Sequence, residues 1–493
     1  MFVFRKYPIR LYIELWNFQK IFQGFIFVLA ILIMAKLSMN ISISQAFLIM
    51  VGILLLVISV RNPEIGILAT IAIVASIIFE REIPLIQTPI GRIHITDIIL
   101  LFLLLQIPFK AITDRSFRLV TTPLDFPLLL FIFVATISAG ISVFKYGSDF
   151  KFVVGIGLRK IMYYLLFFSI TNLIRGRRQI RFLLGGLFGL ASLTALTMII
   201  QARVGSSVRL LPGRVEAAGQ GVGALRILPP GESLVFVMFI SAVCAIAIMK
   251  KPFFKTIYFY LIPVIGGGLL LTYNRNYYIS IIFTFFIFLF LITKKEKKRF
   301  LSWVTIVFIF IILIIFPITK LTKTGRVYYD SIAERVSSII YINEMFVSRS
   351  IEWRISENQI ALLSIVKHPF LGIGLYNLYR RPLPGDEEGW TGYYVHNGYL
   401  WLLVSMGLFG FLPLMWFFLR FLVRGFSKWR KIRDPIIKSA AIGFTLSGIA
   451  FSLVNLVSPK LLEWHGIVVI ASIIGLNEAI INRNEKELQE DGQ

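Results

Sequence analysis

The sequence predicts an all-α, polytopic transmembrane helical bundle of about 12–14 spans with a partly helical loop region outside the membrane. Three observations carry this. Apolar residues make up 57% of the 493 residues and charged residues only 16%, with a mean hydropathy of +0.80, too little polar surface to coat a soluble globule. Apolar runs of the roughly 20 residues that a hydrocarbon layer of about 30 Å demands recur from one end of the chain to the other. Short basic clusters alternate with those runs, the pattern that sets membrane topology.

In order, spans are expected near 21–36, 41–60, 64–80, 95–112, 125–144, 157–174, 179–201, 232–249, 257–274, 276–293, 300–318, 397–420, 436–457 and 462–481. The first run follows Arg5, Lys6, Arg10 and Lys20, which resembles a signal peptide. The flank Lys36 to Asn40 leads straight into a second run without a small-residue cleavage site, so the first is expected to be retained as a span. Residues 1–20, with Trp16, are expected to lie in the membrane interface.

A net charge of +25 would suggest a nucleic-acid partner for a soluble protein. Here the charge sits beside spans, so no nucleic acid is expected. One set of loops holds Arg115 and Arg118, then Arg175, Arg177, Arg178 and Arg181, then Lys250, Lys251 and Lys255, then Lys294 to Arg299, then Arg420 to Lys438. By the charge rule these loops and both termini face the cytoplasm. The organisation that follows is an N-terminal bundle over 1–318 with an outer loop at 202–231, a large outer loop with short helices over 319–396, C-terminal spans over 397–481, and a charged tail, 482–493, expected to be a disordered cytoplasmic segment. Cys244 stands alone, which excludes an intramolecular disulfide, and four scattered histidines give no metal-site spacing. No cofactor and no metal are expected.

The outer loops carry ten arginines against three lysines. A guanidinium fork grips phosphate or carboxylate at two points, so this bias points to an anionic ligand outside the membrane. The plainer reading is that long loops escape the charge rule and drift in composition. Within the larger loop, 349–367 reads as a helix ahead of Pro369. Ile351, Ile355, Leu362, Ile365 and Val366 form its apolar stripe with Arg354 at the edge, a helix suited to the membrane surface.

The most informative stretch is His368-Pro-Phe-Leu-Gly-Ile-Gly-Leu-Tyr-Asn377, followed by His396-Asn-Gly-Tyr-Leu-Trp-Leu-Leu-Val-Ser-Met-Gly-Leu-Phe-Gly410. The pair resembles the signature of the O-antigen ligase and O-antigen polymerase family, a loop of the form P-x-x-G-x-G ahead of H-N-x-Y-L-x-x-x-x-x-x-G-x-x-G. Leu271-Thr-Tyr-Asn-Arg-Asn276 is similar to an outer hairpin of that family. Arg275 matches the family arginine there, while Asn274 and Asn276 replace its serine and glycine. Arg354 and Asp97 also resemble family positions, the aspartate being taken as structural.

The resemblance implies a GT-C-like membrane glycosyltransferase that moves a glycan from an undecaprenyl-diphosphate donor to a saccharide or lipid A-core acceptor, inverting and metal-independent, in the bacterial inner membrane with its site facing the periplasm and membrane lipids around it. Chemistry assigns roles to the matching residues. Arg275 and Arg354 suit the diphosphate, whose charge grows as the glycosidic bond breaks, and His396 suits the acceptor hydroxyl as a neutral base. Arg349, Arg326 and Arg335 are further candidate ligands, as are Arg380 and Arg381, and Asn397 and Tyr399 are candidate substrate contacts. Pro369, Gly372 and Gly374 are expected to shape the loop. The plainer readings are a capping histidine, snorkelling arginines and an interfacial aromatic belt. The competing function is a transporter or flippase for a polysaccharide or lipid-linked glycan, which needs ionisable residues near mid-membrane.

Overall fold

The computed structural model describes residues 43–75, 78–79, 85–88, 91–217, 224–249, 257–310, 349–380 and 392–490, with scattered residues between 313 and 333. The helices in chain order are α1 (Ile43–Arg61), α2 (Pro63–Val74), α3 (Ile95–Thr113), α4 (Asp125–Gly140), α5 (Phe150–Leu173), α6 (Arg177–Val204), α7 (Glu232–Ile248), α8 (Ile257–Leu270), α9 (Arg275–Leu291), α10 (Lys294–Phe310), α11 (Arg349–Lys367), α12 (Gly398–Lys428), α13 (Pro435–Val454) and α14 (Trp464–Glu490). Among the described residues, α3–α6 and α12–α14 are long and apolar enough to cross a membrane, so this is an all-α polytopic membrane protein. The expected spans from 41–60 onward correspond to α1–α10 and α12–α14 in order. The expected span 21–36 and the lead-in 1–20 lie outside the described residues.

Two short antiparallel hairpins were not expected. β1 (Leu85–Thr88) pairs with β2 (Gly91–His94), Leu85 opposite His94. In the loop after α6, β3 (Arg214–Ala217) pairs with β4 (Leu225–Leu228), Arg214 opposite Leu228.

The bundle is organised around α7, apolar on every side and buried along nearly its whole length, as a central helix must be. It packs on α13, α8 and α6. Apolar side chains gain little by leaving lipid for protein, so helices in a membrane associate through close backbone approach. Gly443 of α13 supplies it: a Cβ there would lie 2.6 Å from the Cα of Ser241 in α7. Gly268 of α8 does the same against Ala195 of α6.

Charges gather at the two ends. At one, Arg424 grips Glu478 at 2.9 and 3.1 Å, Lys428 meets Glu485 at 2.9 Å, and Arg181 meets Asp434 at 2.6 Å. These contacts correct the expectation of a disordered tail. Helix α14 continues through Glu490, held by Lys428 and by the one-turn pair Arg483–Glu487 at 2.9 Å.

At the other end α12 is broken. Gly407 has φ 59° and ψ −161° inside the helix, a region open essentially to glycine alone. A break frees backbone groups that lipid cannot satisfy. The loop at Pro369–Gly374 takes them: the N–H groups of Ile373 and Gly374 donate to the carbonyls of Val404 and Ser405 at 2.8 and 3.1 Å, and the N–H groups of Leu408 and Phe409 donate to the carbonyls of Pro369 and Phe370 at 2.8 and 3.0 Å. Gly372 and Gly374 have φ +65° and +99°, and a Cβ on Gly372 would lie 2.4 Å from the Val404 oxygen. The two halves of the sequence signature are therefore partners in one backbone clamp. Helix α4 adds the Ser138 hydroxyl, which donates to the Ser405 carbonyl at 2.8 Å. The π-turn that follows it adds the Ser142 hydroxyl, which donates to the Leu375 carbonyl at 2.7 Å.

The same end holds a buried charge cluster between α7 and the α13–α14 loop. Lys460 lies 2.8 Å from Glu232 and 2.7 Å from Glu463. Burial works against the ammonium, but the two carboxylates outweigh it and hold Lys460 well above the usual lysine value. Burial likewise opposes the Glu463 carboxylate, and Lys460 reverses this and holds it below the usual value.

Two outcomes follow for the detergent-purified protein in thermal unfolding. Gly407→Ala and Gly372→Ala are expected to destabilise by about 1–3 kcal/mol or more from backbone conformation alone, whereas Gly189→Ala, which meets nothing within 4 Å, does not. Lys460→Met strands the buried carboxylate of Glu232 and the partly buried one of Glu463 and is expected to cost about 3 kcal/mol, with partial recovery on adding Glu232→Gln and Glu463→Gln. The depressed Glu463 makes its contribution above the ordinary value of 4.5 and loses it as pH falls through the lower folded value. The raised Lys460 makes its contribution below 10.5 and loses it as pH rises through the higher folded value.

Candidate active site at the clamped end of the bundle

His396 stands two residues before α12. Asn397 caps that helix, its side-chain oxygen accepting from the N–H groups of Tyr399 and Leu400 at 3.0 and 3.2 Å. The N–H of Gly398 donates to the Asn455 carbonyl at 2.8 Å. The histidine backbone is thereby fixed to α12 and to the end of α13.

Its ring meets α11. Oε2 of Glu357 accepts from the His396 backbone N–H at 2.8 Å and lies 3.0 Å from Nδ1. Glu357 has no exposed surface, while the His396 side chain keeps 29%. Trp353 and Tyr394 stand edge-on to the imidazole at 4.9 and 5.0 Å between ring centres. On its far side Glu357 faces Arg380 at 3.6 Å, itself laid over Trp353 at 5.6 Å and donating through Nε to the Tyr379 hydroxyl at 3.0 Å. The Tyr394 hydroxyl donates to Glu463 at 3.0 Å, which joins this group to the Lys460 cluster.

Arg354 lies one turn before Glu357 on α11 and is half-buried. Burial pulls its guanidinium below the usual arginine value, against the influence of Tyr394 and Glu357 and with that of Arg226. Arg226, on β4, donates through Nε to the Thr272 carbonyl at 3.1 Å and through Nη1 to Glu216 at 3.1 Å. The Ile227 N–H donates to the Leu271 carbonyl at 3.0 Å. Hairpin β3–β4 thus docks on the turn that ends in Arg275. There Asn274 caps α9 by accepting from the Asn276 N–H at 3.2 Å, and Arg275 is the first helical residue, half-buried. The substitution of asparagine for the small residues of the resembled hairpin therefore supplies a cap.

Tyr273 and Tyr376 are, among the described residues, the two non-glycine residues with positive φ, at 46° and 56°. One adjoins Arg275 and the other the clamp. Such backbone persists only where surroundings hold it, and it concentrates at functional sites. The π-helical turn Val153–Leu158 of α5 lies against the same loop, and a Cβ on Gly157 would be 2.6 Å from the Tyr376 ring.

Of the residues singled out from sequence, His396, Arg354 and the Arg275 turn gather at one end, linked through Glu357 and Arg226. Pro369, Gly372 and Gly374 build the clamp. Asn397 is the helix cap, and the Tyr399 hydroxyl donates to the Ser452 carbonyl at 2.8 Å; both have structural partners of their own. Arg326 is exposed. Arg335 and the side chain of Arg349 lie outside the described residues, as does Arg381.

Sequence reasoning missed Glu357 and gave Arg226 no role. The expected helix 349–367 is present with those bounds, but three of its apolar stripe face outward, Ile355, Leu362 and Val366 at 44%, 50% and 77% exposure, while Ile365 packs on the core and the side chain of Ile351 lies outside the described residues. The interior face carries Arg354, Glu357 and Ala361, a spacing of three, then four, that a search for polar rather than apolar periodicity finds. Chemically, the end of the bundle offers cations for an anionic group and one imidazole with a nitrogen available beside them.

Residues 259–415 match the family model described as O-antigen ligase, a segment that contains Arg275, Arg354, Glu357, the clamp loop and His396. No curated protein matches the chain. Within this multi-pass membrane protein, residues 259–415 are thus similar to the O-antigen ligase family, a glycosyltransferase-type domain.

Proposed function

We propose that the protein sits in the bacterial inner membrane and transfers a glycan from an undecaprenyl-diphosphate donor to a saccharide acceptor, either a lipid A-core or a growing polysaccharide. The observation that carries this reading is the imidazole of His396 anchored on buried Glu357 at the end where Arg354, Arg226 and the Arg275 turn gather. The opposite end bears the basic rim around Arg181, Arg424 and Lys428. By the charge rule that rim and both termini face the cytoplasm, so the site opens to the periplasm.

The reaction follows from the residues. The acceptor hydroxyl attacks the anomeric carbon and its proton passes to Nε2 of His396. The glycosidic C–O bond to the diphosphate breaks, and the charge that develops there is held by the guanidinium groups of Arg275 and Arg354, which stay protonated. In-line displacement inverts the anomeric centre. Cationic side chains supply the charge stabilisation and the imidazole the base, so the residues suffice without a metal. Entry of the donor from the bilayer keeps its polyprenyl tail out of water.

A transporter needs ionisable groups that line a path through mid-membrane. The buried pairs described above lie at the two ends of the bundle, which favours a reaction at one surface.

Incubation of the purified protein with a polyprenyl-diphosphate glycan and candidate acceptors, with product mass and anomeric configuration measured, tests the reading. A product of inverted configuration is expected. Arg275→Ala, Arg354→Ala and His396→Ala are each expected to lower turnover by about 100-fold or more while membrane insertion persists. Full turnover in His396→Ala removes the proposed base, and glycan translocation without new glycosidic bonds overturns the assignment.

A further inference from the structure

We propose that Glu357 is the positioning residue of the reaction, fixing both the orientation and the proton of His396 so that Nε2 is presented as the base. The inference rests on the role of His396 given above. Oε2 of Glu357 already serves as an acceptor for the backbone N–H of His396, and as an acceptor facing Nδ1 at 3.0 Å it calls for the hydrogen on Nδ1. The lone pair of the neutral ring is then on Nε2. The same oxygen accepts from the backbone N–H of His396 at 2.8 Å, so backbone and ring are held by one atom and the side chain has little freedom about χ1.

Trp353 and Tyr394 restrict the remaining rotation, each standing edge-on to the ring at 87° and 90°. Arg380 supplies the counter-charge that a carboxylate with no exposed surface needs. Its contact is the looser one, 3.6 Å against 2.8 and 3.0 Å to the histidine, so the carboxylate is seated on the imidazole rather than on the arginine. Arg354 also lies within electrostatic reach of Glu357, and Tyr394 leads on to Glu463 and Lys460. A buried acid holding the far nitrogen of a base is the arrangement that keeps an imidazole in the tautomer able to accept a proton.

The test uses the full-length protein in lipid nanodiscs. In Glu357→Gln, kcat is expected to fall by about 100-fold or more with KM changed less than about threefold, because the amide can present a donor to Nδ1 and permits the wrong tautomer. Nitrogen-15 imidazole spectra, with His396→Gln identifying the signal, are expected to show an Nδ1–H ring in the parent protein and a mixture in Glu357→Gln. Glu357→Asp keeps the charge and is expected to recover part of kcat. The pair Glu357→Gln with Arg380→Gln leaves no stranded buried charge and is expected to fold yet remain slow. Parent-like kcat in Glu357→Gln or in that pair, or an unchanged tautomer in Glu357→Gln, overturns the inference. An inactive His396→Ala beside a fully active Glu357→Gln sinks this inference alone, whereas a fully active His396→Ala sinks the base assignment on which it rests.

Discussion

The rest of the molecule depends on how the broken strand of backbone within α12 is satisfied. A helix interrupted in hydrocarbon leaves carbonyl and amide groups that cost several kcal/mol each unless protein takes them up. Here four of them find partners on a single short loop, Pro369–Gly374, with α4 bracing it from behind. The arrangement sets where the upper half of α12 points, and His396 stands at the head of that half. Arg380 and Tyr394, between the clamp and the histidine in sequence, meet Glu357 and the imidazole respectively.

Electrostatics builds outward from that frame. Among the described residues, four acids at this end sit against a cation: Glu357 against Arg380, Glu216 against Arg226, Glu232 and Glu463 against Lys460. Burying such pairs is no bargain in stability by itself. With the Tyr394–Glu463 hydrogen bond and the influence of Arg226 on Arg354, they join α7, α11, the α13–α14 loop and hairpin β3–β4 into one polar layer that includes His396. A site that must stabilise a diphosphate gains from charges fixed beforehand, since no reorganisation is then needed during reaction.

Much of this was legible in the sequence. Hydropathy and basic clusters gave the all-α bundle and its span order, because a bilayer imposes length and composition directly. The motif residues named the clamp loop and the histidine, and Arg354 lies one turn from Glu357, the partner of that histidine. Three features were not legible. Hairpins β1–β2 and β3–β4 are too short for alternation to stand out from loop sequence. The tail was read from its charge, whereas its order comes from Lys428, far away in sequence. Glu357 was hidden because helix α11 inverts the usual rule, turning its polar side inward, and a soluble protein's pattern assigns that side to water.

The inversion in α11 leaves an apolar edge on the outside of the bundle. Ile355, Leu362 and Val366 look away from the bundle, while the opposite edge carries Glu357, which holds the imidazole. Under the proposed reaction, lipid packed along this edge would bear on how Glu357 meets His396, which makes bilayer composition a variable of turnover.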